Sequence, residues 1–123
     1  MTARTAAVLG AVLAGIAVAT GAFAAHALRN RLDPGLLETF GTAARYQLIH
    51  GIALVTAALA AERWPTARLT PVLWMFLAGT VVFSGSLYLL ALTGARAFGA
   101  ITPVGGVLLI AGWATFACRV AKS

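Results

Sequence analysis

Residues 6–25 read AAVLGAVLAGIAVATGAFAA, and none of them is Asp, Glu, Lys or Arg. A helix needs about 20 such residues to cross a hydrocarbon core roughly 30 Å thick. Two further runs without these charged residues cover 72–92 and 101–118, and a shorter one covers 46–61. Of the whole chain, 61% is hydrophobic and only 10% is charged. The sequence therefore predicts an all-α integral membrane protein.

The apolar runs predict four membrane spans, at about 6–27, 43–61, 72–92 and 101–119. Together with their connections they use almost all of the 123 residues, so we expect a single transmembrane domain, 1–123. The connections are short, and short connections make successive helices antiparallel. The expected architecture is an up-down four-transmembrane-helix bundle.

One Asp-Pro pair and one Thr-Pro pair indicate where the second and the last helix begin. Asp33 can accept hydrogen bonds from free backbone amides, and Pro34 suits the first helical position. A helix starting there could run unbroken into the second span, with residues 34–44 in the interfacial layer. In the same way, Thr102-Pro103 predicts the start of the last helix.

Small residues recur along the first span at alternating steps of three and four, which places them on one helical face. In lipid, helices associate where small residues allow their backbones to approach closely. We therefore expect a packing seam on this helix and a central place for it in the bundle. The seam comprises Ala7, Gly10, Ala14, Ala17, Gly21 and Ala24.

Nine Lys and Arg against three Asp and Glu give a net charge of +6. Nearly all of these charges fall between spans, where basic residues set orientation or contact anionic lipids rather than nucleic acid. The side that holds both termini carries five basic residues and the other side four. This bias favours cytoplasmic termini in a bacterial inner membrane. The first span also imitates a signal peptide, but its apolar run is long, and we interpret it as a retained span.

The residue types that carry most chemistry are scarce. Cys118 is the only cysteine, so an intramolecular disulfide is impossible. The three carboxylates, Asp33, Glu38 and Glu62, fall at connections or interfacial turns. No nucleophile, phosphate-binding or paired-carboxylate motif is present. The sequence predicts no enzyme and no cofactor.

Polar residues converge in one membrane half. The first span leaves the membrane where the second enters, and the third leaves where the fourth enters. Several polar side chains near these points define a candidate polar pocket, in which His50 could meet Ser84, Ser86, Tyr88 or His26. Interhelical packing, a ligand pocket, and metal or haem ligation by the two histidines are the alternatives. The candidate pocket residues are His26, Arg45, Tyr46, His50, Ser84, Ser86, Tyr88 and Thr102.

Four segments also carry a family resemblance. Residues 21–28 read GAFAAHAL, 40–50 read FGTAARYQLIH, 83–88 read FSGSLY and 99–106 read GAITPVGG. In this order they resemble the blocks of a family of small membrane proteins called domain of unknown function 423, which includes YgdD-like bacterial proteins. Ala24 departs from the usual Gly of the first block. The resemblance implies a multi-pass inner-membrane protein and no known activity, and its motif positions include the candidate pocket residues.

Two functional hypotheses remain. The first is a structural or accessory helix bundle that packs with itself or with a larger membrane complex. The second is a small binding or transport module, in which Arg45 and His50 help to hold a lipid headgroup, an ion or a small solute. Membrane lipids are expected partners under either hypothesis, and an enzymatic role would require another chain.

Overall fold

The protein is a bundle of four long helices in a computed structural model that describes residues 1–123. Each helix is long and apolar enough to cross a membrane, which confirms the predicted fold class. The first helix continues as a π-helical turn, Ala24–Leu28, and a short 3₁₀ turn, Pro65–Ala67, precedes the third. The helices are α1 (Ala3–Phe23), α2 (Pro34–Arg63), α3 (Thr70–Thr93) and α4 (Arg96–Ala121).

The start of α2 follows from its first residues. The Asp33 carboxylate accepts a hydrogen bond of 2.9 Å from the backbone amide of Leu36, and Pro34 occupies the first turn. The helix then continues without interruption for 30 residues. Such a helix is about 45 Å long, which is more than the roughly 30 Å thickness of the hydrocarbon core. Its first turns therefore lie outside the core.

The expected start of α4 at Thr102-Pro103 is wrong. The helix begins at Arg96, and Pro103 lies inside it. Gly94 adopts a left-handed conformation with φ of 71°, which ends α3 so sharply that two residues suffice to connect it to α4. Pro103 removes only one backbone donor, and the helix tolerates this loss because the surrounding turns remain bonded.

The helices pack in chain order: α1 against α2, α2 against α3, and α3 against α4. Hence α2 and α3 form the centre, whereas α1 and α4 lie at the two outer positions. The expectation that α1 is central is therefore wrong. Its small residues identify a helix that approaches one neighbour closely, but they do not say how many neighbours it has.

The sequence-predicted seam of α1 faces α2. Gly10, Ala17 and Ala24 are buried, and the other three seam residues are partly buried. A Cβ atom placed on Gly10 would lie 2.6 Å from the carbonyl oxygen of Gly51. Only glycine permits this separation of the two backbones.

A second close approach joins α3 to α4. A Cβ on Gly105 would lie 2.4 Å from the backbone nitrogen of Phe83. Farther along, a Cβ on Gly112 would lie 2.8 Å from the ring of Phe76. The glycines of α4 therefore set the distance between these helices and the register of the aromatic side chains that pack on them.

Candidate functional site

Tyr88 is the centre of a hydrogen-bonded group that connects three helices. Its hydroxyl donates to Oε1 of Gln47 over 2.7 Å and lies 2.9 Å from Oγ1 of Thr20. The Gln47 amide nitrogen donates in turn to the carbonyl oxygen of Leu13, at 2.8 Å. This group joins α3 to α2 and to α1 inside the membrane-spanning region.

Two serines of α3 extend the polar contacts to both neighbouring helices. The Ser84 hydroxyl donates to the carbonyl oxygen of Ala43 on α2 over 2.8 Å. Ser86 lies 2.6 Å from the Thr102 hydroxyl on α4. Ser84 and Ser86 are both buried, so these bonds form away from lipid.

His50 is buried, and both of its ring nitrogens are engaged. Nδ1 lies 2.9 Å from the carbonyl oxygen of Tyr46, one turn earlier in α2. The indole nitrogen of Trp113, on α4, donates to Nε2 over 3.1 Å. A ring that accepts at Nε2 and faces a carbonyl at Nδ1 is neutral, with its proton on Nδ1. The expected contacts of His50 with Ser84, Ser86, Tyr88 or His26 are absent, and Trp113 is its partner.

Tyr46 lies beside this histidine on α2, one turn earlier. Its ring stacks on His50 with a centroid distance of 5.9 Å and contacts Phe83 at 4.6 Å. The side chain is 38% exposed, and its hydroxyl makes no hydrogen bond within the protein.

His26 and Arg45 do not join either group. Both are exposed, and His26 lies in the π-helical turn after α1. The eight residues of the candidate pocket are thus divided among several places. Tyr88, Ser84, Ser86 and Thr102 are bonded at the helix interfaces, and Tyr46 with His50 faces α3 and α4.

Thr20 and Trp113 complete these contacts, yet neither belongs to the sequence-predicted set. The signal in the sequence is weak: Thr20 is a hydroxyl in an otherwise apolar span, and Trp113 lies within the last span, eight residues before the end of α4. Every buried side-chain nitrogen or oxygen has a hydrogen-bond partner. The helix interfaces are therefore internally satisfied.

Two grooves border these groups. One, of about 260 Å³, runs past Gln47, Ser84 and Tyr88. The other, of about 340 Å³, is lined by Tyr46, His50, Phe83, Gly106, Leu109, Ile110 and Trp113, and we call it the aromatic groove. No group of three or more His, Cys, Asp or Glu residues lies close enough to hold a metal ion.

Comparison with known proteins gives consistent matches along the chain. The family model described as protein of unknown function (DUF423) matches residues 20–106. A UPF0382 membrane protein of Staphylococcus saprophyticus is 46% identical over 86% of this chain and 88% of its own length. The UPF0382 inner membrane protein YgdD of Escherichia coli is 41% identical over 93% of this chain and 87% of its own length.

The UPF0382 membrane protein YwdK of Bacillus subtilis is 39% identical over 86% of this chain and 87% of its own length. No solved structure matches the chain. These relatives and the four membrane-spanning helices confirm the predicted multi-pass membrane protein and its inner-membrane location. The descriptions of the family and of these relatives assign no activity. The chain therefore belongs to the DUF423 family of membrane proteins of unknown function.

Proposed function

We propose that this protein is a small accessory bundle that packs with a second copy of itself, or with a larger membrane complex, through the outward face of α1. The observation that carries the proposal is a second stripe of small residues, about a third of the way around α1 from the seam that faces α2. It comprises Ala11, Gly15, Ala19 and Ala22, all of which are exposed.

The stripe has the geometry that helix association in lipid requires. Its members follow steps of four and three, so they share one face. A Cβ on Gly15 would meet no atom within 4 Å, which leaves room for another helix backbone. Since lipid tails are as apolar as leucine, close packing of backbones is what brings such helices together.

The interior supports the same proposal. Its polar side chains bond to one another and to backbone carbonyls, so they hold the helices in place rather than remaining free for a solute. The three carboxylates offer no pair for acid–base chemistry, since Asp33 caps α2 and the others are exposed. We also infer that the chain alone is not an enzyme.

Cross-linking in native membranes tests the association. In a Cys118→Ala chain, Gly15→Cys should form a disulfide-linked dimer on mild oxidation, or cross-link to a membrane partner. Gly15→Leu should abolish association without changing the fold, because its side chain enters open space. Gly85→Leu is the matched control, since a Cβ there also meets nothing within 4 Å. A chain that stays monomeric with every probe on α1 would refute the proposal.

The alternative is a binding module in which Arg45 and His50 hold an anionic ligand. It has less support, because both nitrogens of His50 are already engaged and Arg45 lies exposed on the outside. Replacing both residues with Gln would distinguish the two functions. Loss of a retained headgroup or solute, with the bundle intact, would favour the alternative.

A further inference from the structure

The aromatic groove contains a polar group that the helix packing does not use. Each of the other interfacial hydroxyls near it has a partner: Ser86 faces Thr102, and Tyr88 faces Gln47. The Tyr46 hydroxyl has none. His50 cannot supply one, because its Nδ1 faces a backbone carbonyl and its Nε2 accepts from Trp113.

Tyr46 lies deep in the membrane. Its neighbour in the chain, Gln47, bonds to the carbonyl of Leu13, at the middle of α1. The Phe83 ring on which it packs belongs to a residue about 15 Å from the nearer end of α3. The ester and phosphate groups of phospholipids lie in the interfacial layer, outside the hydrocarbon core. A partner for this hydroxyl must therefore be carried by a molecule that dissolves among the acyl chains.

The lining of the groove defines the shape of that molecule. The planes of Tyr46 and His50 are within 15° of parallel, and the Trp113 ring contacts Phe76 and His50 at centroid distances of 4.9 and 6.1 Å. Tyr46 and Trp113 are 38% and 43% exposed, so the groove opens towards lipid. Aromatic faces with one hydroxyl donor suit a flat ring that bears a carbonyl oxygen.

We propose that the aromatic groove binds the head of a membrane quinone, with the Tyr46 hydroxyl donating a hydrogen bond to a ring carbonyl. The volume of about 340 Å³ lies in the range of small-molecule sites. Gly106 belongs to the lining, and a Cβ there would lie 3.8 Å from the Phe83 ring, so a larger side chain would occupy the space of the ligand. This site lies on α2, α3 and α4, away from the association face of α1.

Fluorescence in lipid bilayers tests the proposal, because quinones quench tryptophan at short range. The chain with Trp64→Phe and Trp74→Phe retains Trp113 as its one tryptophan. It is reconstituted in nanodiscs and titrated with 2,3-dimethyl-1,4-naphthoquinone. We expect saturable quenching, which the carbonyl-free 2,3-dimethylnaphthalene does not compete away.

Two variants separate recognition from packing. Tyr46→Phe removes only the donor, and we expect it to raise the apparent Kd of the quinone about tenfold while the ring contacts remain. Gly106→Leu should abolish the saturable component, and Gly15→Leu, on the far face of α1, should leave it unchanged.

Three results would overturn the proposal. They are quenching that stays linear with quinone concentration, a Tyr46→Phe variant that binds as tightly as the parent, and full competition by the naphthalene. Should Gly106→Leu fail to fold, the Tyr46→Phe titration decides alone. Association through α1 is read from cross-linking, so either proposal can fail without the other.

Discussion

Gly105→Ala probes the closest contact between α3 and α4. The added methyl carbon would lie 2.4, 2.7 and 2.8 Å from the nitrogen, Cα and Cβ of Phe83. These are backbone and Cβ atoms, so no side-chain rotation can relieve the overlap. Since carbon atoms pack at about 3.5–4.0 Å, the two helices must move apart by roughly 1 Å.

That displacement has a predictable cost. Overpacking of this kind destabilises a core by about 1–3 kcal/mol. It also stretches neighbouring contacts of the same interface, such as the 2.6 Å bond between Ser86 and Thr102. Replacing glycine within a helix contributes up to about 1 kcal/mol in the opposite direction. The neighbouring Gly106→Ala variant controls for this gain in helix propensity, because its methyl would sit 3.8 Å from the Phe83 ring, an ordinary contact.

We therefore expect Gly105→Ala to be less stable than Gly106→Ala by about 1–3 kcal/mol. Unfolding in mixed micelles with increasing SDS, followed by helical circular dichroism and tryptophan fluorescence, measures the difference. If the two variants unfold at the same SDS fraction, the close approach of α3 and α4 at this position does not exist. A Gly105→Ala variant that is more stable than Gly106→Ala would also contradict this close approach.

Three further predictions use matched pairs or a single label. Tyr88→Phe should lower the free energy of unfolding by about 1 kcal/mol, the scale of interhelical hydrogen bonds in membranes. Tyr46→Phe should change it little in the absence of a ligand, and equal effects of the two variants in SDS titrations would contradict this prediction. Gly10→Ala should lower the free energy of unfolding by about 1–3 kcal/mol through the contact of α1 with α2, whereas Gly15→Ala should not. Protease resistance or SDS unfolding measures the difference between the two variants. Ser123→Cys in a cysteine-free chain should react with an impermeant maleimide only after cells are permeabilised, and labelling of intact cells would place the termini outside.

The sequence was sufficient to predict the four spans, because composition alone determines whether a helix can remain in lipid. It also predicted the start of α2, since Asp33 and Pro34 satisfy local requirements that no distant contact can replace. Both features depend on residues within one or two turns of each other.

The start of α4 was missed for a related reason. The sequence favours Pro103 as a first-turn residue, yet seven residues precede it in the helix. In a membrane protein an interior proline is tolerated, because neighbouring helices and hydroxyl side chains satisfy the backbone groups that it frees. The carbonyl that Pro103 leaves without its helical donor is that of Gly99, four residues earlier and still in the first turn of α4.

The pairing of His50 with Trp113 lay beyond sequence reasoning. It depends on how far each helix is rotated about its own axis, and an amphipathic face normally supplies that information. In α3 and α4 nearly every face is apolar, so their sequences leave the rotation undetermined. The same reason explains why Thr20 was not recognised as a neighbour of Tyr88.

Glycines and hydroxyls have separate roles in this bundle. Gly10, Gly51 and Gly105 set how closely the helices approach, but apolar packing in lipid would also permit neighbouring registers. The bonds of Tyr88 and Ser84 remove that freedom, because a slip by one turn would leave several polar groups unpaired inside the hydrocarbon core. Once these groups are used within the bundle, only its outer surfaces remain for contact with other molecules. This is why both proposals concern outward-facing features: the small-residue stripe of α1 and the unbonded hydroxyl of Tyr46.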